Sequence, residues 1–386
     1  MKTVHLDLGP RSYDIRVGRD IVERIGSWLP RDGARRGFIL ADRALGAHTR
    51  RLERALKRAG WKTTTMPLRS GEGLKDLSSI YPIFGALLEQ RANRHATIFA
   101  LGGGVIGDAA GFVAATYLRG VPWVGVPTTL LAQVDSAIGG KTAVNHPAGK
   151  NLIGAFYQPA LVVSELSYLD TLDVRDRVSG FGETIKYGII ADPAFFRRLA
   201  RDPQAFLDLD PALLTAAVAK CSALKAALVE IDERDTLGPR ETLNFGHTIG
   251  HALEAATDYK RFRHGEAIIH GMRAAAYISL ERGHLPQRAF DEIDAALASL
   301  PVPPLPPALD DRAVLDAVLL DKKKTRAGKV RFVLLERLGK TVSDDGVGAA
   351  EIRAAVAFVR AHRWRSATAR AAKTRVRGER KNAAGM

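Results

Sequence analysis

Asn244-Phe-Gly-His247-Thr-Ile-Gly-His251 sets two imidazoles four residues apart, on one face of any helix that carries them. Arg263-His264-Gly-Glu266 follows, and Glu183 stands three residues before Lys186 in an otherwise apolar stretch. Two histidines and one carboxylate, with a fourth position left for water or substrate, suit a catalytic zinc ion. Spacing alone nominates His247 and His251 as the ligand pair. The metalloprotease helix is excluded, because Thr248 stands where its glutamate would be. A second set is cationic. Lys141, Lys150, Lys186, Lys225, Arg240 and Lys322 each lie within or beside glycine-rich or apolar sequence. Cations enter such settings when paired, and an anionic substrate would pair them. The bland alternative for each is a lysine or arginine snorkelling to the surface, and Asp321-Lys322-Lys323-Lys324 is the weakest case.

Gly102-Gly-Gly-Val-Ile-Gly-Asp108 follows the apolar run 96–101 and opens a helix-like stretch. This matches G-x-G-x-x-G in the strand–turn–helix context that lets backbone approach a dinucleotide and aims a helix N-terminus at phosphate. No acidic residue closes a second strand about 20 residues later, as the simple dinucleotide fold requires. A tight core turn therefore stays open as the other reading. Pro127-Thr-Thr-Leu-Leu131 offers two hydroxyls at a second helix start. Gly139-Gly-Lys141-Thr142 resembles the end of a P-loop, but Asp135 occupies the position of its first glycine, so no Walker motif is present.

The elements that must position these groups differ between the two halves. Strand-like runs at 37–41, 61–67, 96–101 and 121–126 alternate with helix-like stretches at 44–59 and 77–91. Val4, Leu6 and Leu8, then Tyr13, Ile15 and Val17, alternate as in a hairpin. From about 176 the pattern turns helical, at 193–201, 211–230, 242–257, 264–282, 287–299, 311–320 and 348–362. A proline-rich loop at 301–307 and a short strand at 329–335 interrupt it. The expectation is an α/β domain with a Rossmann-like parallel sheet over 1–175, a mainly α-helical domain over 176–362, and a basic disordered tail over 363–386.

Composition bounds the rest. The 386 residues are 46% hydrophobic and 26% charged, which excludes a collagen-like or wholly disordered chain. The net charge is +15, yet residues 361–386 hold eight Lys/Arg and one acid, so almost half of the excess lies in the tail. That tail is the only feature pointing to nucleic acid. A single cysteine, Cys221, excludes an intrachain disulfide and fits a reducing compartment; its Ala-rich surroundings predict a buried, inert thiol. No run of about 18 apolar residues and no signal-peptide pattern is legible, so a cytoplasmic protein without a membrane partner is expected.

The blocks Gly102–Asp108, Gly111–Gly120, Pro127–Asp135, Gly139–Asn145, Gly149–Phe156, Gly182–Gly188, Asn244–Glu254 and His264–Ala267 together resemble the 3-dehydroquinate synthase family of sugar-phosphate cyclases, in that family's order and over about residues 10–355. The resemblance implies a dehydroquinate synthase-like fold, a homodimer, and NAD and zinc (or cobalt) as cofactors. It implies a phosphate-eliminating lyase of the shikimate pathway, in chorismate and aromatic amino acid biosynthesis, acting on 3-deoxy-D-arabino-heptulosonate 7-phosphate. By position it implies metal ligands Glu183, His247 and His264, which overrules the spacing-only pair and releases His251 for substrate or proton transfer. The implied NAD contacts are Asp42, Glu72, Lys75, Gly103, Gly104, Val105, Asp108, Thr128, Thr129, Leu131, Lys150, Thr171, Leu172 and Asp176. The implied substrate contacts are Asp135, Lys141, Lys150, Asn151, Lys186, Lys225, Arg240, Asn244, His251 and Lys322, with Arg119 donated across the dimer.

The chemistry so implied is transient oxidation of a hydroxyl, elimination of phosphate, return of the hydride and intramolecular aldol closure. Lys150, Asn151, Lys186, His251 and Lys322 are assigned to the phosphate, and Lys141, Lys225, Arg240 and Asn244 to the carboxylate. Cyclases of the amino-dehydroquinate, 2-deoxy-scyllo-inosose or valiolone type, and NAD-dependent glycerol-phosphate or polyol dehydrogenases, are the alternatives. The sequence departs from the family at Tyr168 and Asp176 (often Phe and Glu), at Ser164 (Asp) and at Asp173 (Pro). The stretch Asp232–Arg240 is one residue longer than usual, and Asp235 fills a place where glutamate is expected.

Overall fold

The structure, a computed structural model, describes residues 1–29, 35–322 and 330–361. The expectations for the tail at 363–386 lie outside the described residues, as does the side chain of Lys322.

The strands are β1 (Lys2–Leu6), β2 (Tyr13–Gly18), β3 (Arg36–Asp42), β4 (Lys62–Leu68), β5 (Thr97–Gly102), β6 (Trp123–Pro127), β7 (Lys141–His146), β8 (Gly149–Phe156) and β9 (Leu161–Glu165). Among the described residues, seven of them form one sheet in the order β1-β2-β9-β6-β5-β3-β4. Only the β1–β2 pair is antiparallel. Strands β5, β6 and β9 are buried along their whole length, which is why they read as unbroken apolar runs. Alternation splits the core: Phe38 and Leu40 join Ile98, Ile106 and Val113 on one face, while Ile39 joins Phe99, Leu101 and Val126 on the other. Helices α1 (Gly46–Arg58), α2 (Leu77–Glu89) and α3 (Gly104–Thr116) cover those faces. Strands β7 and β8 form a separate antiparallel hairpin that the apolar pattern does not announce, because β8 is largely exposed and carries Lys150 and Asn151.

The remaining elements are α4 (Val174–Ala191), α5 (Pro193–Arg201), α6 (Pro203–Leu207), α7 (Pro211–Ile231), α8 (His247–Ala256), α9 (His264–Glu281), α10 (Gln287–Ala298), α11 (Asp311–Lys322), β10 (Phe332–Arg337), β11 (Lys340–Asp344) and α12 (Ala349–Ala361). The helix expected over 242–257 is in fact a 3-10 turn, Pro239–Asn244, followed by α8. Gly246, at φ +81°, breaks the two apart.

Two compact units result: Met1–Thr184 with Gln204–Arg240, and the described parts of Ile185–Pro203 with Glu241–Met386. Helix α7 groups with the first, where it packs on β1, β2 and the turn at 132–136. By length and composition α7 is apolar enough to cross a membrane, which corrects the reading that no such segment exists. Its Leu214, Val218, Cys221, Ala226 and Val229 are instead buried in the first unit, and Cys221 is an interior thiol.

Candidate active site

In the first unit the glycine turn is shaped by close approach. A Cβ on Gly102 would stand 2.5 Å from Ile106 Cγ1, one on Gly104 2.9 Å from Ser136 Oγ, and one on Gly103 3.1 Å from Thr129 Cγ2. Gly103 caps α3, whose first turn begins at Gly104 and leads through Val105 to Asp108. The free N–H groups of a helix start make it an anion-binding end. A Cβ on Gly107 would meet nothing within 4 Å, and this glycine lines a cleft with Gly103, Gly104, Asp108, Ser136 and Lys141. The first and second glycines of the motif therefore answer to the protein, and the third faces the cleft.

Several expected cofactor residues meet beside this helix. Lys75 is 3% exposed. Its Nζ donates to Asp108 Oδ2 at 2.6 Å and to Asn151 Oδ1. Burial pushes the Asp108 carboxyl up, and the charge of Lys75 opposes that shift. Glu72 Oε1 accepts from Asn145 Nδ2 at 2.7 Å, and Asn145 Oδ1 accepts the Asn151 N–H at 2.9 Å. The exposed hairpin is thereby tied to the turn at Glu72–Lys75. Asn145 had escaped the sequence reading; its only signal was its place at the end of a motif block.

Other expected cofactor residues are held locally. The Asp42 carboxylate accepts the Ala44 N–H at 3.0 Å. The Thr128 N–H donates to the Gly102 carbonyl at 2.9 Å, and Thr129 Oγ1 accepts the Ala132 N–H at 3.2 Å. Leu131 leads into a π-helical turn, Ala132–Ser136, that carries Asp135. Thr171 Oγ1 lies 3.2 Å from His48 Nε2, Leu172 is half-buried, and Asp176 sits in the first turn of α4. Lys150 and Arg119 are exposed.

The cations of this unit are paired. Lys225 Nζ donates to Asp135 twice, to Oδ1 at 2.6 Å and to the backbone carbonyl at 2.7 Å. Lys141 Nζ meets Asp235 Oδ2 at 2.6 Å. Arg240, 3% exposed, donates from Nη1 to the carbonyls of Asp232 at 3.3 Å and Glu233 at 2.7 Å. Gly139, at φ +95°, lets that guanidinium reach the backbone, for its Cβ would lie 3.1 Å from Nη2. Asp232 closes the loop by accepting the N–H groups of Thr236, Leu237 and Gly238. Asp235 thus holds Lys141 from the loop Asp232–Arg240.

In the second unit the glycines of the His-Thr-Ile-Gly-His segment serve a helix crossing. A Cβ on Gly271 would stand 2.0 Å from the Gly246 carbonyl oxygen and 2.7 Å from the Gly250 nitrogen. Helices α8 and α9 meet backbone to backbone, which brings the start of α9 beside the histidine face of α8. The rings of His247, His251 and His264 have centroids 5.2, 5.4 and 5.6 Å apart, and their ligand atoms all lie within 4.8 Å of one another. The spacing-only pair and the family pair are therefore parts of one cluster, in which His251 is the exposed member. His247 donates from Nδ1 to the Phe245 carbonyl at 3.3 Å, and His264 from Nδ1 to Glu254 Oε2 at 3.3 Å. Burial, then the nearby charge of Lys186 and the two other imidazoles, hold His247 well below the usual imidazole range, in the neutral form that binds metal. Lys186 is 1% exposed on α4 and Asn244 is exposed at the end of its 3-10 turn. Glu183, on the part of α4 that belongs to the first unit, is fully buried. Glu254, whose signal in the sequence was its place at the end of a motif block, contacts His264.

Residues 65–179 match the model of the 3-dehydroquinate synthase N-terminal domain, and residues 180–324 that of the 3-dehydroquinate synthase C-terminal domain. The chain is 41% identical over 343 residues to a 3-dehydroquinate synthase of Desulforamulus reducens, covering 88% of this chain and 95% of that protein. Among solved structures it is similar to a 2-deoxy-scyllo-inosose synthase complexed with carbaglucose-6-phosphate, NAD+ and Co2+, with a TM-score of 0.84, 25% identity, and coverage of 93% of this chain and 99% of that one. A 2-epi-5-epi-valiolone synthase of Streptomyces hygroscopicus with NAD+ and Zn2+ bound shares the fold, with a TM-score of 0.81, 24% identity, and coverage of 90% and 96%. The glycine turn, the paired cations and the triple-histidine cluster thus belong to a member of the 3-dehydroquinate synthase family.

Proposed function

We propose that this chain converts 3-deoxy-D-arabino-heptulosonate 7-phosphate to 3-dehydroquinate and phosphate in the shikimate pathway. The observation that carries the substrate class is the cationic group around Gly139: Lys141, Lys225 and a buried Arg240 beside one glycine turn. A planar guanidinium with flanking ammonium groups suits a carboxylate, which the substrates of the 2-deoxy-scyllo-inosose and valiolone cyclases lack.

The glycine turn and its cleft fit a dinucleotide, since the turn lets strand and helix approach closely and Gly107 adds no side chain to the cleft it lines. NAD, when bound, supplies a reversible hydride acceptor. Gly103, Gly104 and Val105 would offer backbone donors to it, Thr128 and Thr129 hydroxyls, and the Lys75–Asp108 pair a fixed dipole. Asp42, Glu72, Leu131, Lys150, Thr171, Leu172 and Asp176 complete the set by family position. The histidine cluster fits a divalent ion, because its ligand atoms converge and two of its rings have Nδ1 hydrogen-bonded, which leaves Nε2 as the lone pair. A metal ion, when bound, acidifies and polarises a substrate oxygen. His247 and His264, with Glu183 from the family pattern, would hold zinc; the exposed His251 would carry a proton to or from substrate. Lys150, Asn151, Lys186 and Lys322 would grip the phosphate. A cytoplasmic homodimer, with Arg119 given to the partner's site, completes the proposal, as does a division of labour between 1–175 for NAD and 176–362 for metal.

A coupled assay tests it. With NAD+, Zn2+ and the heptulosonate phosphate, phosphate release should equal 3-dehydroquinate formation, with no net NADH. Accumulating NADH would identify a dehydrogenase. Turnover only of a phosphosugar without a carboxylate would identify another cyclase.

A further inference from the structure

We propose that Glu254 is a positioning residue for the metal site: its carboxylate accepts a hydrogen bond from the Nδ1–H of His264 and so presents Nε2 to the ion. The inference rests on the metal reading above. Its basis is a contact between two helices. Glu254 stands three residues after His251 on α8, and His264 opens α9. The backbone crossing at Gly246, Gly250 and Gly271 lets the carboxylate reach the ring, at 3.3 Å, with the Glu254 side chain 12% exposed.

The placement is otherwise unfavourable. Glu254 lies in the last turn of α8, where the carbonyl end of the helix disfavours an anion. Its own carbonyl accepts the Thr257 and Tyr259 N–H groups, which fixes the residue at the helix end. A carboxylate kept there, mostly buried and aimed at an imidazole, fixes the ring's tautomer and raises its basicity. His247 achieves the first effect with a neutral carbonyl, that of Phe245. His264 is held by a carboxylate, that of Glu254. Glu254 meets His264 at Nδ1, the ring nitrogen opposite the Nε2 presented to the ion, so it acts through His264 and not as a ligand.

The test uses the full chain loaded with Zn2+ and titrated with a competing chelator. Glu254→Ala should weaken Zn2+ binding about 10–100-fold, in the range typical of such partners. Glu254→Gln, which keeps an acceptor but loses the charge, should fall between wild type and Glu254→Ala. NAD+ affinity should be unchanged in both. In the metal-free protein, imidazole 15N shifts should show His264 protonated at Nδ1 in wild type and in Glu254→Gln, and moved toward Nε2 protonation in Glu254→Ala. Wild-type Zn2+ affinity in either folded variant, or an unaltered His264 tautomer in Glu254→Ala, would overturn the role. His247→Ala and His264→Ala separate the two ideas: if these also keep wild-type Zn2+ affinity, the metal reading itself fails.

Discussion

Lys225, proposed above as a substrate contact, is also held by the fold. Its ammonium bonds the carboxylate and the carbonyl of Asp135, within a π-helical turn, a feature that often marks functional sites. A charged hydrogen bond to substrate is worth about 1.5–3 kcal/mol. Lys225→Ala and Arg240→Ala should therefore lower kcat/KM about 10–100-fold in steady-state assays, while NAD+ affinity by titration stays at its wild-type value. Unchanged kinetics would remove them from the site. His270 makes a different kind of prediction. Burial pushes its imidazole down to about 4, although Nε2 donates to the Pro303 carbonyl at 2.8 Å. The unfolded chain takes up this proton near pH 6.5, the folded chain only near pH 4. Stability from this group is thus full above pH 6.5 and falls as pH drops through that window, by up to about 3 kcal/mol. Urea midpoints measured from pH 7 to 4.5 should fall less steeply in His270→Gln than in wild type.

At the scale of elements, two glycines separate packing from ligand approach. Gly271→Ala drives a methyl group into the Gly246 carbonyl, and backbone cannot give way as a side chain can. A loss of about 3 kcal/mol or more is expected in chemical denaturation, with weaker Zn2+ retention, because the crossing of α8 and α9 sets the histidine cluster. Gly107→Ala should behave in the opposite way. Its Cβ meets no protein atom within 4 Å and it lies inside α3, so stability should rise by about 0.5–1 kcal/mol. The same methyl faces the cleft, so NAD+ affinity should fall. Wild-type affinity would show that the dinucleotide does not pass over this turn. The β7–β8 hairpin has a comparable role, since Asn145 and Asn151 tie it to Glu72 and Lys75.

For the molecule as a whole, charge and metal dependence are the measurable properties. Of the +15 net charge, +7 lies in residues 361–386, and every residue named in the site precedes them. A chain ending at 361 should fold and turn over like the full chain, and loss of its folding transition would assign the tail a structural part. Salt-sensitive retention on DNA or RNA by the full chain alone would give the tail a separate role. Removing metal with a chelator should abolish phosphate release and added Zn2+ should restore it. Full activity in metal-free protein would refute the metal role.

Strand positions, the glycine turn and most helices were legible because each is a local pattern: buried parallel strands are unbroken apolar runs, and helices repeat at 3.6 residues. Motif blocks in a fixed order were enough to identify the family and nominate its residues. The sequence could not show that Asp235 holds Lys141, that Asn145 links the hairpin to Glu72, or that Glu254 faces His264. Nor could it show that α7, apolar enough to span a membrane, is packed against the first unit's sheet. Each of these depends on residues that are distant in sequence or on different elements, and so on packing rather than periodicity. The spacing of the histidines favoured His247 with His251 and the family resemblance named His264 with His247; the glycine-lined crossing of two helices is what gathers all three rings into one cluster, because it joins residues of two different elements.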